Sequence, residues 1–151
     1  MMISTKGRYA LRVMIELAKH DPDKYIPLKD IAETQSISGK YLESIIKLLV
    51  KGNMVIGLRG KGGGYKLSRE PESYTVLSIL ELAEGSLAPV ACLSTDKMEC
   101  ERAESCPTLP MWSRLNDIIT EYLESVYLSD LASQAKDACC GDYVIYSFPA
   151  S

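Results

Sequence analysis

The chain has 151 residues, 46% of them apolar and 25% charged, which suits one domain or one domain plus an appendage and supplies enough apolar side chains for a core. No apolar run approaches the ~20 residues of a membrane span. The N-terminus, "MMISTKGRYAL", lacks a basic region followed by an apolar stretch, so no signal peptide is expected and the cytoplasm is the expected compartment. The net charge of −3 argues against an anionic partner until its distribution is seen. Residues 1–70 hold 13 Lys+Arg against 7 Asp+Glu, a net +6, whereas residues 71–151 hold 4 against 13, a net −9. A basic first half joined to an acidic second half predicts an anion-binding module with a separate partner surface.

Thr5 is placed to cap a first helix from about Lys6 to Lys19, with Ala10, Met14, Leu17 and Ala18 on one apolar face. "DPDKY" breaks it. "PLKDIAETQ" then reads as a short helix with Leu28, Ile31 and Ala32 inward, and "SISG" as a tight connection. "KYLESIIKLLVK" is a third helix that turns Leu42, Ile45, Ile46 and Leu49 to the core and Lys40, Glu43, Ser44 and Lys47 to the other side. In "NMVIGLRGKGGGYKLS", Met54, Ile56 and Leu58 alternate with Val55, Gly57 and Arg59 at the period of a strand. "GKGGG" is the turn and "YKL" the returning strand. Three helices followed by a glycine-tipped hairpin predict a mainly α fold with a small β-hairpin: a winged helix-turn-helix over residues 1–85.

"TVLSILELAEG" is a further short helix closing that module. A cysteine-bearing connection spans 86–108. A long helix is expected within 109–135, running from Pro110 to about Ser133. Trp112, Leu115, Ile119, Tyr122 and Val126 are spaced 3, 4, 3, 4 along it, the spacing of a helix–helix seam, and are read as a homodimer interface. Residues 136–151 form a tail in which "YVIYSFPAS" reads as a short strand.

A helix entering the major groove presents its N-terminal side chains to base edges. Here those are Ser38, Lys40, Tyr41, Glu43 and Ser44. Arg59 and Lys61 flank the glycine tip of the hairpin, and a slim arginine-bearing hairpin suits the narrow, electronegative minor groove. Lys6 and Arg8 open the first helix as phosphate contacts. The expected partner is therefore a double-stranded DNA operator, with no membrane involved.

"STKGRYALRVMIELA", "SGKYLESIIKLLVKG" and "LRGKGGGYKLSREP" resemble the bacterial winged-helix regulators that include IscR, NsrR and CymR, and the likeness runs over about residues 1–135. It implies a dimer on a palindromic operator. Family contacts carry over to Ser38, Tyr41, Glu43 and Arg59, whose types match the IscR pattern. Where this chain has Ser44, IscR-like proteins often have glutamine.

Cys92, Cys100 and Cys106 share one acidic connection. Gaps of seven and five residues fit poorly the two-to-four of zinc sites and are looser than ferredoxin runs. Asp96, Glu99, Glu101 and Glu104 would oppose formation of a free thiolate, whereas bound metal deprotonates its own ligands. Spacing alone leaves an iron–sulfur site and a thiol sensor both open. The resemblance favours the cluster: IscR and NsrR carry three cysteines in this connection as iron–sulfur ligands, and CymR-like members lack them. A 2Fe–2S cluster is expected over 4Fe–4S, and the nearest likeness is taken as IscR, a regulator of cluster-assembly genes. The alternatives are an NsrR-like nitric-oxide sensor and a CymR-like regulator of cysteine metabolism. The IscR fourth ligand, a histidine three residues after the last cysteine, falls on Leu109, and Arg8 stands where NsrR has aspartate. The fourth ligand stays open among His20, Cys139, Cys140, Glu99, Glu101 and Glu104. No nucleotide loop, Cys-x-x-Cys pair or histidine–carboxylate arrangement points to an enzyme.

Overall fold

A computed structural model of the chain describes residues 2–94 and 100–137. Its elements in order are α1 (Thr5–Ala18), α2 (Leu28–Gln35), α3 (Gly39–Lys51), β1 (Val55–Leu58), β2 (Gly64–Leu67), α4 (Val76–Glu84), α5 (Leu109–Ser125) and α6 (Leu128–Asp137). Short 3-10 turns at Pro71–Ser73, Ala91–Leu93 and Ala103–Ser105 punctuate the connections. The expected tail strand and Cys139 and Cys140 lie outside the described residues.

Apolar periodicity builds the core as expected. Val13 and Met14 of α1, Ile31 of α2, Leu42, Ile45 and Leu49 of α3 and Ile79 of α4 are fully buried in one cluster. At ~25 cal/mol per Å2, each such aliphatic side chain contributes about 1.5–3 kcal/mol when buried. The cap of α1 is Ser4 rather than Thr5: its Oγ accepts from the Gly7 amide at 3.4 Å and donates to Glu84 Oε1 at 2.7 Å. The start of α1 is thereby tied to the end of α4, which a cap at Thr5 could not do.

The hairpin pairs β1 with β2 antiparallel, Val55 opposite Leu67 and Leu58 opposite Gly64. Val55 is buried against α3, whereas Ile56 and Leu58 are exposed. Gly60 and Gly62 take positive φ (94° and 75°) at the tip, which explains the glycines there. Gly64 meets the Ile26 backbone: a Cβ at Gly64 would lie 2.4 Å from that carbonyl oxygen. That close approach permits the Ile26–Tyr65 pairing, both N–H···O distances being 2.9 Å, which fastens the hairpin to the start of α2.

Tyr74 fastens the other end. Fully buried, it donates its hydroxyl hydrogen to the Met54 carbonyl (2.9 Å) and accepts from the Arg69 amide (3.0 Å), and the Arg69 guanidinium lies 4.6 Å from its ring centroid. Both roots of the hairpin therefore converge on one side chain.

The single helix expected from Pro110 to Ser133 is two helices. Val126 is extended (φ −100°, ψ 122°), and its carbonyl accepts from the Val76 amide at 2.8 Å, while the Leu128 amide donates to the Tyr74 carbonyl at 2.9 Å. Backbone groups that would have continued the helix are used to pair with residues 74–76. Asp130 then accepts from the Tyr127 amide at 3.0 Å and starts α6, which packs on α1. Val126, the last residue of the expected seam, is buried in the chain's own second cluster with Val76, Leu80 and Leu87.

Candidate nucleic-acid interface

α3 starts at Ser38, whose Oγ accepts from the Tyr41 amide at 3.3 Å, while Ser44 Oγ donates to the Tyr41 carbonyl at 2.7 Å. Capping places Ser38 at the leading end of the helix, where exposed amides favour an anion. With Leu42, Ile45, Ile46 and Leu49 buried, Lys40, Glu43 and Ser44 point outward as expected. Tyr41 is half-buried, and its ring meets Tyr9 of α1 edge to face with centroids 5.7 Å apart. That contact draws the first turns of α1, with exposed Lys6 and Arg8, toward the leading end of α3. Arg8 Nη2 donates to Thr5 Oγ1 at 3.1 Å.

Arg59 and Lys61 are exposed at the wing tip, Arg59 just beyond β1. Between wing and α3 runs an open groove lined by Ile46, Lys47, Val50, Lys51, Leu58 and Arg59. Lys47 and Lys51 join Arg59 there, two cations that attention to the leading end of α3 overlooks. The sequence did carry a signal for them. Lys40, Ser44, Lys47 and Lys51 follow at intervals of 4, 3 and 4, one polar stripe along α3. The stripe and the wing form one basic surface of the kind that neutralises phosphates on either side of a groove.

The cysteine connection presents differently. Cys92 lies in the 3-10 turn Ala91–Leu93 and is half-buried, Cys100 is exposed, and half-buried Cys106 ends the turn Ala103–Ser105; all three are free thiols. Hydrogen bonds from the Thr108 hydroxyl (3.4 Å from Sγ) and the Thr108 and Leu109 amides hold the Cys106 thiol below the usual cysteine range. Those donors at the start of α5 outweigh the burial that would raise it. The donor set suits a thiophilic metal or cluster. Among the described residues, no three His, Cys, Asp or Glu side chains are gathered closely enough to hold a metal ion. His20 Nε2 instead lies 3.2 Å from Glu16 Oε1.

On α5, the exposed large apolar residues are Met111, Leu115, Ile118 and Tyr122, at 54, 38, 47 and 48% exposure. Trp112 and Ile119 are half-buried. The outward stripe thus keeps Leu115 and Tyr122 but substitutes Met111 and Ile118 for Trp112 and Ile119, a shift of one residue in phase.

A reading helix, a glycine-tipped wing and a basic surface across both define a winged helix-turn-helix DNA-binding transcription regulator. Residues 3–134 match the family Rrf2, described as iron-dependent transcriptional regulator, and the chain belongs to it. The regulator CymR of Bacillus subtilis is 41% identical over 133 residues, 88% of this chain and 91% of that protein. The regulator IscR of Pectobacterium atrosepticum is 33% identical over 133 residues, 88% of this chain and 80% of that protein. Among solved structures, CymR, the global cysteine regulator of B. subtilis, superposes with a TM-score of 0.73 at 39% identity, covering 89% of this chain and 98% of that one. IscR of T. potens superposes at 0.71 with 34% identity, covering 95% and 94%. Identity to this CymR (41%) thus exceeds identity to this IscR (33%), whereas the resemblance of the motifs points to IscR. The relatives are regulators, and no enzyme family is indicated. No helix among the described residues is long and apolar enough to cross a membrane.

Proposed function

We propose that the chain acts as a cytoplasmic homodimer on a palindromic operator and that the state of Cys92, Cys100 and Cys106 controls its affinity. The observation that carries the DNA-reading part is the continuous basic surface of α3 and the wing, with Arg59 facing Lys47 and Lys51 across one groove. Ser38, Lys40, Tyr41, Glu43 and Ser44 read the major groove, Arg59 and Lys61 enter the minor groove, and Lys6 and Arg8 hold phosphates. α5 supplies the two-fold contact.

For control, the leading reading is an iron–sulfur cluster, 2Fe–2S before 4Fe–4S, on the three cysteines. Three free thiols on one connection, one of them held toward thiolate, and a family described as iron-dependent support it. When bound, such a cluster supplies a centre sensitive to oxidants, to nitric oxide and to iron supply. The chain's own part is to offer thiolates and to carry their arrangement into α5, which begins three residues after Cys106. Cluster-assembly genes are the proposed targets. A second reading, a CymR-like regulator of cysteine metabolism acting through a protein partner, is favoured by the 41% identity to CymR.

The experiment is anaerobic purification followed by iron, sulfide and zinc analysis and visible spectroscopy. Coloured wild type, with colourless Cys92→Ala, Cys100→Ala and Cys106→Ala variants that still fold, supports the cluster. Stoichiometric zinc without sulfide overturns it. Metal-free protein whose operator binding is unchanged by loss of Cys92, Cys100 and Cys106 supports the second reading.

A further inference from the structure

The turn between α2 and α3 sets the angle at which the reading helix leaves the fold, and one side chain outside that turn holds it. Arg12 of α1 is half-buried. Its Nε donates to Gln35 Oε1 at 3.1 Å, and its Nη2 donates to the Gln35 backbone carbonyl. Gln35 is the last residue of α2, and Ser36 after it takes a left-handed conformation (φ 53°, ψ 45°). The Arg12 guanidinium thus satisfies a carbonyl left unpaired at a helix C-terminus and places a cation at the negative end of that helix. The Gln35 amide is held from its other side as well. Its Nε2 donates to Glu16 Oε2 at 2.8 Å, and Glu16 is only 5% exposed. A flipped amide would set N–H groups against Arg12 and an oxygen against the carboxylate, so a single orientation satisfies both partners. Arg12 also lies over the Tyr9 ring, 5.0 Å from its centroid, and Tyr9 meets Tyr41 in the first turn of α3. Arg12 therefore grips the turn on one side and, through Tyr9, supports the leading end of α3 on the other.

We infer that Arg12 is a positioning residue for the reading helix, acting through Gln35 and Tyr9 and making no contact with DNA. Its planar fork is the reason arginine is needed, since lysine offers a point charge that cannot engage side-chain and backbone oxygens of Gln35 together. Specific binding requires α3 at one angle, because base-edge contacts are directional. Non-specific binding rests on phosphate charge and tolerates small changes of angle. Loss of Arg12 should therefore weaken the first and spare the second. The inference rests on the DNA-reading function of α3.

The test uses a duplex selected by the wild-type protein from a random-sequence pool and, as non-specific competitor, poly(dI-dC), each titrated over a salt series. Arg12→Gln and Arg12→Lys should each weaken binding to the selected duplex by ~10-fold or more, the scale of losing charge-assisted hydrogen bonds. Affinity for poly(dI-dC) and the slope of log K against log salt should stay at the wild-type value. A slope reduced by about one, with both DNAs weakened together, would make Arg12 a phosphate contact and overturn the inference. So would an unchanged affinity for the selected duplex. Gln35→Ala, which removes the amide partner from the other side, should reproduce the specific loss, and adding Arg12→Gln to it should cost less than in the wild type. Full additivity also overturns the inference, and the Gln35→Ala arm decides the question if Arg12 variants fail to fold. If the wild type selects no duplex, the DNA-reading function itself fails, an outcome distinct from any of these.

Discussion

Two side chains show how position sets chemistry in this chain. Burial pushes the Glu16 carboxyl up, but hydrogen bonds from Lys19, His20 and Gln35, with the Lys19 charge, outweigh it and hold the group below the ordinary carboxylate value. A carboxylate whose folded pKa is depressed adds stability above its unfolded pKa and loses it as pH falls through the folded one. Glu16→Gln should therefore cost about 1–3 kcal/mol at pH 7, and the gap from wild type should narrow below about pH 4. Urea denaturation at pH 7 and at pH 3.5 measures both; a gap independent of pH would mean that the charge adds nothing. At Cys106 the shift has the same direction, and because an ordinary thiol titrates above neutrality, a depressed thiol pKa enlarges the thiolate fraction near pH 7. In the metal-free protein, Thr108→Val should slow alkylation of Cys106 several-fold, with Cys92 and Cys100 as internal references read by peptide mapping. An unchanged rate would remove Thr108 as the cause. Neither environment was legible in the sequence. Glu16 follows the fully buried Val13 and Met14 on an amphipathic helix, and nothing local announces that Gln35, nineteen residues on, bonds to it.

Elements whose signals are local were legible. Apolar spacing delimited α2 and α3, and a run of glycines marked the wing tip where positive φ is needed. The break between α5 and α6 was not, because its cause lies some fifty residues upstream. Residues 74–76 offer backbone partners to Val126 and Leu128, and a 3.6-residue pattern carries no trace of that pairing. The same segment holds the wing. Tyr74 accepts the Arg69 amide and donates to the Met54 carbonyl from within the core, so Tyr74→Phe keeps the ring and leaves both groups without that partner. The expected cost is about 1–3 kcal/mol, read as a lower denaturation midpoint with unchanged helical signal. A variant as stable as wild type would show that water replaces the hydroxyl. Residues 74–76 thus join the wing, α4 and the α5–α6 junction.

At the scale of the whole molecule, the question is what covers α5. Met111, Leu115, Ile118 and Tyr122 form an outward apolar stripe at intervals of 4, 3 and 4, on a helix that buries none of its residues within the chain. A second copy of the same stripe is the proposed cover, related by a two-fold axis that would set two reading helices about one DNA turn apart, ~34 Å. The cysteines lie upstream of this stripe. Cys106 is two residues before Thr108, the N-cap of α5, so a ligand drawing Cys92, Cys100 and Cys106 together would act on the end of the helix proposed to make the dimer. Binding there needs only to favour one dimer geometry over another: a coupling of ~1–3 kcal/mol alters operator affinity about 5- to 150-fold. Ile118→Asp sets a charge into the centre of the stripe without touching either core cluster. An unpaired charge buried between protomers costs several kcal/mol, enough to separate them at micromolar concentration. Sedimentation equilibrium should then show a monomer with the helical content of the wild type. On a palindromic duplex, operator affinity should fall toward that of a single half-site, and the difference between metal-loaded and metal-free protein should disappear with it. A variant that stays dimeric would place the two-fold contact on another surface. A monomer that still responded to metal would route control through the 74–76 segment within one chain.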